Sequence, residues 1–242
     1  ESSSKLNWLK KPILHYLRLW DSAAAGRVDY FIANSRNTAW RIKKYYNRDS
    51  VVIYPPVDSD YPEPSVKEKS EVPFSDYYLI VSRLLSYKRV DLAVDVFNRL
   101  NLPLVIIGDG LERRRLERRA KKNIKFLGWQ NGKIKNLYLK HCSAFIFPGE
   151  EDFGIAPVEA MNFGKPVLAF RAGGLLETVI EGKTGEFFDR QSSDSLSEGF
   201  ERLQSKNYDQ EFIKNHAQKF GKERFIREIK TFIEKVYTEN SN

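Results

Sequence analysis

Short apolar runs alternate along the chain with longer amphipathic stretches. The runs are rich in β-branched, aromatic and aliphatic residues and predict β-strands at residues 28–33, 50–54, 77–82, 103–107, 124–127, 144–147, 166–170 and 185–188. The stretches between most of them predict α-helices at residues 37–46, 90–100, 111–121, 133–141, 156–163 and 175–181. This alternation predicts repeated βαβ units, and therefore an α/β fold with a doubly wound parallel sheet and helices on both faces. In such sheets ligands bind beyond the carboxyl ends of the strands.

The two ends of the chain differ from its middle. Residues 6–25 predict a helix with an apolar stripe made of Trp8, Leu9, Ile13, Leu14, Leu17 and Trp20. Residues 193–237 predict further helical structure with a break near Gly221. Residues 55–73 hold five prolines and several charges, which is typical of a linker or an exposed crossover. We therefore expect helical terminal segments and a linker between two structural parts.

Composition narrows the class of protein. Cys142 is the only cysteine, which excludes an intramolecular disulfide framework and a cysteine-built zinc site. We therefore expect a reducing, cytosolic compartment. The longest apolar runs, such as residues 102–107, are far shorter than the roughly 18 residues that a membrane-spanning helix needs. The only methionine is Met161, so we expect a processed product or an excised fragment.

The charge balance favours an anionic partner. The chain has 40 Lys and Arg against 32 Asp and Glu, a net charge of +8, which suits nucleic acid, a phosphorylated ligand or an acidic membrane face. Residues 112–122 carry five arginines and two lysines. They could form a basic stripe that binds nucleic acid, or the solvated face of a helix on the outside of the sheet. We favour the helix, with Leu111, Leu116 and Ala120 facing inward, because no aromatic interleaving or RNA-module motif accompanies the charges.

The segment at residues 147–167 is the most informative in the chain. A buried strand runs into a loop, and a helix then begins near Ala156 with Pro157 in its first turn, where the missing N–H costs little. Free backbone N–H groups at such a helix start attract anions. Glu151 in the loop and Glu159 in the helix can both face a ligand bound there. The alternative is that Glu151 caps the helix and Glu159 is solvated.

This segment resembles the signature of retaining glycosyltransferases of family 4, which have the GT-B fold. That signature is two glutamates separated by seven residues, then Ala-Met and a Gly-x-Pro-Val turn, as at Glu151, Glu159 and residues 160–167. Further matches follow in the family's order at residues 31–35, 54–58, 80–88, 107–110, 126–129, 172–177 and 182–185. The forms at residues 55–58 and 151–159 look closest to mannosyltransferases of surface-polysaccharide assembly.

The resemblance implies a Rossmann-like sheet, the C-terminal half of the GT-B fold. It divides the chain into the tail end of an incomplete N-terminal acceptor-side domain (1–57), a linker (58–75), a nucleotide-sugar donor-binding domain (76–219) and a C-terminal return helix (220–242). The family's glycine-rich first loop and acceptor-side histidine have no counterpart here. We therefore expect these residues to bind the donor but to transfer sugar poorly or not at all.

The resemblance also assigns site residues. Arg83 and Lys88 would hold the diphosphate, unless they merely form a solvated strand-end cluster with Arg89. Glu151 would contact the hydroxyls of the transferred sugar, and Glu159 those of the ribose. The other implied donor contacts are the phosphate-loop residue Ser82, the base-framing residues Gly128 and Trp129, and the backbone amides of Phe153, Gly154, Ile155 and Ala156. Trp129 either stacks on the base or packs in the core.

The reaction implied is sugar transfer with retention at the anomeric carbon, through an oxocarbenium-like transition state and without a protein nucleophile. Two cations beside the diphosphate stabilise the departing charge, so no metal and no cofactor is expected. The acidic pair Asp58 and Asp60 lies in a proline-rich segment, and we interpret it as a turn rather than a metal site.

The resemblance further implies the partners of the protein. The donor is a GDP- or UDP-linked sugar, with GDP-mannose expected, and the acceptor is a saccharide or a lipid-linked saccharide. A cytoplasmic location follows, with weak peripheral contact to an anionic membrane and no nucleic acid as a partner. The competing hypotheses are a non-catalytic nucleotide-sugar-binding module and a nucleic-acid-binding protein.

Overall fold

The computed structural model of the chain describes residues 2–58 and 76–240. The chain divides into two compact units, residues 1–53 and 54–242. Nearly all of the expected linker at residues 58–75, including Asp60, lies outside the described residues. The domain boundaries expected from the resemblance therefore stay predictions.

The first unit is small and mostly helical. Its elements are α1 (Ser2–Ala25), β1 (Ile32–Ala33), α2 (Arg36–Tyr46) and β2 (Val51–Val52). The two strands pair in parallel. Helix α2 begins where the Ser35 hydroxyl accepts a hydrogen bond from the Thr38 N–H, and it ends at Asn47 in the left-handed conformation.

Both strands of this unit are shorter than expected. The chain leaves α1 through a turn in which the Val28 N–H donates to the Ala25 carbonyl. The carbonyls of Val28 and Asp29 then accept hydrogen bonds from the Arg48 guanidinium. Because these two carbonyls are already bonded, residues 28 and 29 do not join the strand pairing, and β1 has two residues instead of the expected 28–33.

Helix α1 is confirmed, and it is longer than the expected residues 6–25. Of its predicted apolar stripe, Ile13, Leu14, Leu17 and Trp20 are all exposed. The side chains of Trp8 and Leu9 lie outside the described part of the structure. No helix among the described residues has the length and apolar character needed to cross a membrane.

The second unit contains a six-stranded, all-parallel sheet. Its strands are β3 (Tyr78–Val81), β4 (Leu104–Ile107), β5 (Ile124–Gly128), β6 (Ala144–Phe147), β7 (Val167–Phe170) and β8 (Gly185–Phe188). The strand order is β5-β4-β3-β6-β7-β8. The chain therefore starts in the middle at β3, runs to one edge, and returns to build the other edge from β6. This is the doubly wound order, and its switch point lies between β3 and β6.

Helices cover both faces of this sheet. The helices of this unit are α3 (Val90–Leu100), α4 (Arg113–Arg119), α5 (Gly132–His141), α6 (Ile155–Asn162), α7 (Leu175–Thr178), α8 (Ser193–Gln204), α9 (Gln210–Ala217) and α10 (Lys222–Asn240), with short 3₁₀ turns at Ser86–Lys88 and Gln218–Phe220. Neighbouring residues of β3 point to opposite faces, so Leu79 joins one core cluster and Ile80 the other. The clusters also contain residues of α6 and of α3, respectively. The expected α/β fold with a doubly wound parallel sheet is confirmed.

The basic helix differs in one respect from expectation. It begins at Arg113 rather than at residue 111, because the Glu112 N–H donates to the Leu84 carbonyl in the loop after β3. Leu111 therefore lies before the helix and is 90% exposed, so its expected inward position was wrong. Leu116 is buried as expected, and Ala120 packs partly against the same core cluster.

The C-terminal helical region has an additional interruption. The predicted break near Gly221 is present, between the 3₁₀ turn that ends at Phe220 and α10. A further break at residues 205–209 was not predicted. There the Asp209 carboxylate caps α9 by accepting the N–H groups of Glu211 and Phe212.

Candidate functional site

The predicted site residues of β3 and β6 lie on both sides of the sheet's switch point. Ser82 and Arg83 directly follow β3, and a loop with Gly149 and Glu151 follows β6. A Cβ atom on Gly149 would lie 2.9 Å from the Lys88 Cα, closer than ordinary contact allows. Glycine at this position lets the two loops touch. The carboxyl ends of β3 and β6 therefore form one crevice, where doubly wound sheets bind their ligands.

Lys88 and Glu151 meet in this crevice as an ion pair between Nζ and Oε1. The lysine side chain is 8% exposed and the glutamate 34%. Burial and the nearby charge of Arg83 lower the pKa of Lys88, and the carboxylate of Asp152 opposes the change. The buried ammonium therefore has an anionic partner inside the crevice before any ligand arrives.

Arg83 is the second cation of the crevice. Its side chain is exposed and makes no hydrogen bond or ion pair with the described residues. Arg89, by contrast, bonds to Asp91 and Gln191. The three cations therefore do not form one solvated cluster, because Lys88 is buried and Arg89 is bonded elsewhere. Arg83 and Lys88 remain close enough to repel each other, and an anion bound between them would relieve that repulsion.

The loop after β6 leads into α6 without a side-chain cap. Gly154 is the N-cap residue, with a φ of 87°, and no side chain bonds the first turn. Glu151 therefore does not cap the helix. Phe153 is buried against the rings of Tyr54 and Phe220, so it can present only its backbone to a ligand. The N–H groups of the first helical turn have no intrahelical acceptors and are suited to an anion.

Gly174 fixes the position of this loop. The Gly174 N–H donates to the Glu151 carbonyl at 2.8 Å. A Cβ atom on Gly174 would lie 2.5 Å from the Phe153 Cα. The tight turn before α7 thus packs directly beneath the loop that carries Glu151, and it supports the orientation of that carboxylate.

Glu159 lies on α6 and is paired with a residue that the sequence did not indicate. Its Oε1 accepts a hydrogen bond from the Lys135 ammonium at 2.6 Å, and their side chains are 16% and 22% exposed, respectively. Glu159 is therefore not a freely solvated carboxylate. Lys135 belongs to α5, and its distance from Glu159 in sequence gives no signal of the contact.

The base-framing residues lie at the end of β5, beyond β4. The Gly128 carbonyl accepts the Gly108 N–H, which ties the ends of β4 and β5 together. Trp129 is 77% exposed, so the alternative that it packs in the core was wrong. The Ser82 N–H donates to the Ile107 carbonyl in the same row of strand ends.

The other groups considered from the sequence, a metal site and the thiol of Cys142, do not contribute to the crevice in the described part of the chain. No cluster of three His, Cys, Asp or Glu side chains arranged for a metal ion occurs among residues 2–58 and 76–240. Asp58 contributes its carbonyl to a hydrogen bond from Asn162, and Asp60 lies outside these ranges. Burial raises the pKa of the Cys142 thiol to about 12, which keeps the thiol protonated and unreactive.

Comparisons with known proteins agree with this geometry. An uncharacterized glycosyltransferase of Methanocaldococcus jannaschii is 28% identical over 69% of this chain and 49% of its own length. The O-antigen chain mannosyltransferase C of Escherichia coli is 29% identical over 60% of this chain and 43% of its own length. A crystal structure of Anabaena HepE in complex with UDP and glucose matches with a TM-score of 0.73 at 22% identity, over 86% of this chain and 64% of that chain.

The chain spans about half the length of these curated relatives. Residues 65–220, well over half of the chain, match the family described as glycosyl transferases group 1. The matched residues include the sheet, the switch-point crevice with Glu151 in its loop, and α6 with Glu159. The chain therefore belongs to the group 1 glycosyl transferases, with the parallel sheet of the GT-B fold.

Proposed function

We propose that this chain is the donor-binding part of a retaining glycosyltransferase that uses a nucleoside diphosphate sugar. The observation that carries the proposal is the pair of cations at the switch point. Arg83 is unpaired among the described residues, and Lys88 is buried beside it. Two adjacent cations at the carboxyl ends of parallel strands suit the two linked phosphates of such a donor.

The other groups of the crevice suit the remaining parts of the donor. The first-turn N–H groups of Ile155 and Ala156 suit a phosphate or sugar oxygen. Glu151 would accept hydrogen bonds from the hydroxyls of the transferred sugar, and Glu159 from those of the ribose. Trp129 is exposed at the end of β5, where its ring would stack on the base.

Binding the donor requires the Lys88–Glu151 pair to open. Lys88 would exchange the carboxylate for a phosphate oxygen, and Glu151 would exchange the ammonium for sugar hydroxyls. Each charge would thus have a partner both before and after binding. Because a lysine this deeply buried is costly to leave unpaired, Glu151 stabilises it in the empty crevice until a phosphate takes the place of the carboxylate.

The proposed transfer then proceeds as follows. The bond between the anomeric carbon and the diphosphate oxygen breaks, and its electron pair leaves with the diphosphate. Arg83 and Lys88 stabilise that charge without a metal or a cofactor. The acceptor hydroxyl attacks from the face that the diphosphate leaves and gives its proton to the departing oxygen, so the configuration is retained.

The proposal also specifies which sugar and which base the donor carries. Mannose from GDP-mannose is supported by the form of residues 55–58 and 151–159 and by the name of the E. coli relative. The structural neighbour instead holds UDP and glucose. We propose a saccharide or lipid-linked acceptor, a cytoplasmic location and a weak contact with anionic membranes, supported by the net charge of +8.

A thermal-shift and calorimetry panel tests the proposal. The 242-residue chain is titrated with GDP, UDP, ADP and their sugar conjugates, with and without EDTA. We expect one nucleoside diphosphate to bind at micromolar to millimolar concentration, equally well in EDTA. We also expect little or no sugar transfer by these residues alone. Binding of none of the nucleotides, or binding that EDTA abolishes and manganese restores, would overturn the proposal.

A further inference from the structure

We propose that Lys135 is a positioning residue that holds the Glu159 carboxylate in place for the ribose of the donor. The inference rests on the proposed function, and it adds a residue to that site. The Lys135 ammonium bonds only one of the two carboxylate oxygens, Oε1, at 2.6 Å. Among the described residues, Oε2 accepts no hydrogen bond, so it remains available to a ligand hydroxyl.

The backbones that carry the pair are fixed independently of it. Lys135 lies in the first turn of α5, where the Asn131 side chain caps the helix by accepting the Ile134 N–H at 3.0 Å. Beyond that turn, Tyr138 of α5 packs in the same buried core cluster as Val158 of α6. Because packing already holds the two helices, the ion pair is not needed to join them. The ion pair instead orients the Glu159 side chain.

The charge of Lys135 has a second consequence for a phosphorylated ligand. A carboxylate that accepts ribose hydroxyls must stay ionised, yet its negative charge would repel the nearby diphosphate. A lysine bonded to the opposite oxygen offsets that charge without competing for the hydroxyls. The half-buried pair is also screened less by salt than an exposed pair would be.

The test compares ribose with a sugar that lacks the hydroxyls. Calorimetry measures the affinity for GDP and for 2′,3′-dideoxy-GDP, with the UDP pair in parallel, and the ratio of the two affinities is the readout. We expect the ratio to favour ribose in the unmodified chain. We expect Glu159→Gln to lower the ratio at least threefold, Lys135→Met to lower it nearly as far, and Lys135→Arg to restore most of it.

Lys133→Met is the matched control, since Lys133 lies on the same helix but is exposed. It removes the same charge and should leave the ratio unchanged. If Lys135→Met does not fold, as judged by its thermal transition, Lys135→Gln replaces it, and the same fall in the ratio is expected. A purely structural lysine would instead weaken both nucleotides by the same factor, and that result overturns the inference.

The two proposals fail in different ways. If the unmodified chain binds no nucleotide, or if Glu159→Gln leaves the ratio unchanged, the proposed role of Glu159 fails and the inference falls with it. If Glu159→Gln lowers the ratio but Lys135→Met does not, the donor site stands and the role of Lys135 is refuted. If Lys135→Met weakens GDP and its dideoxy analogue equally, Lys135 contacts the phosphates or supports the fold instead.

Discussion

Replacing Glu151 by glutamine should make the chain bind nucleoside diphosphates more tightly. In the structure the Glu151 carboxylate forms an ion pair with the Lys88 ammonium, which we assign to the diphosphate. A diphosphate must therefore displace an anion before it reaches Lys88. Glutamine keeps the size and shape of the side chain but removes the charge, so the incoming phosphate competes with a neutral amide.

The magnitude follows from the burial of the pair. Two unit charges about 4 Å apart interact by roughly 4 kcal/mol at an effective dielectric constant near 20. Glu151 is about one third exposed, so water recovers much of that energy when the pair opens. We therefore expect a net gain of about 1–2 kcal/mol, or roughly 5- to 30-fold tighter binding.

The assay is isothermal titration of the chain with GDP and UDP and with their sugar conjugates. For the conjugates the gain at Lys88 should be cancelled, because glutamine accepts the sugar hydroxyls less strongly than a carboxylate does. Glu150→Gln is the matched control. Glu150 belongs to the same loop, makes no ion pair with the described residues, and should change the affinity little.

Two results would refute this reasoning. If Glu151→Gln weakened the nucleoside diphosphate, the carboxylate would not compete with it for Lys88. If Glu150→Gln tightened binding as much as Glu151→Gln did, the gain would come from the general charge of the loop rather than from the ion pair.

Three further substitutions test other parts of the structure. Arg83→Ala should weaken the nucleoside diphosphate by roughly 1–3 kcal/mol in calorimetry, since a charged hydrogen bond is lost, and an unchanged affinity would contradict the assignment. Gly174→Ala should lower the thermal transition and the nucleotide-sugar affinity together, because its Cβ would lie 2.5 Å from the Phe153 Cα; normal values for both would show that the turn can shift. Burial lowers the pKa of His216 from about 6.5, its hydrogen bond to the Thr178 carbonyl opposes this, and the charge of Lys219 lowers it further. The unfolded state therefore takes up the proton first, so the free energy of unfolding should fall as the pH drops below about 6.5, and His216→Phe should flatten that fall in urea titrations.

Much of the sheet could be predicted from the sequence because its strands are buried on both faces. Such strands form short continuous apolar runs bounded by turns, and residues 144–147 were predicted at the bounds that the structure shows. The helix at residues 90–100 was also predicted at its observed bounds, because its apolar positions recur at helical spacing.

Errors arose where a residue's surroundings come from distant parts of the chain. The strand expected at residues 28–33 is shortened because Arg48 bonds the carbonyls at its start. Leu111 and Trp129 are apolar residues in turns, where hydrophobic periodicity cannot assign a face. Hydrophobicity alone therefore favoured an inward position for Leu111, although the local backbone directs it to the solvent.

In the candidate site, too, the residues of the motif could be predicted from the sequence, whereas their distant partners could not. The motif indicated Glu151 and Glu159 by type and spacing, but it did not reveal that each is paired with a lysine. Those partners come from other helices and loops, and sequence spacing alone does not locate them. The contrast between buried Lys88 and its neighbour Arg89, which bonds Asp91 instead, likewise depends on the 3₁₀ turn Ser86–Lys88 and on the left-handed backbone of Arg89 that follows it.

The two lysine–glutamate pairs are expected to behave differently when the donor binds. The Lys88–Glu151 pair must open, because both of its charges are assigned to parts of the donor. The Lys135–Glu159 pair must stay closed, because only the free oxygen of Glu159 is assigned to the ribose. Removing the charge of Glu151 should therefore strengthen the binding of a nucleoside diphosphate, whereas removing that of Lys135 should weaken it. These opposite signs, measured with one nucleotide, distinguish a pair that exchanges partners from a pair that positions a ligand group.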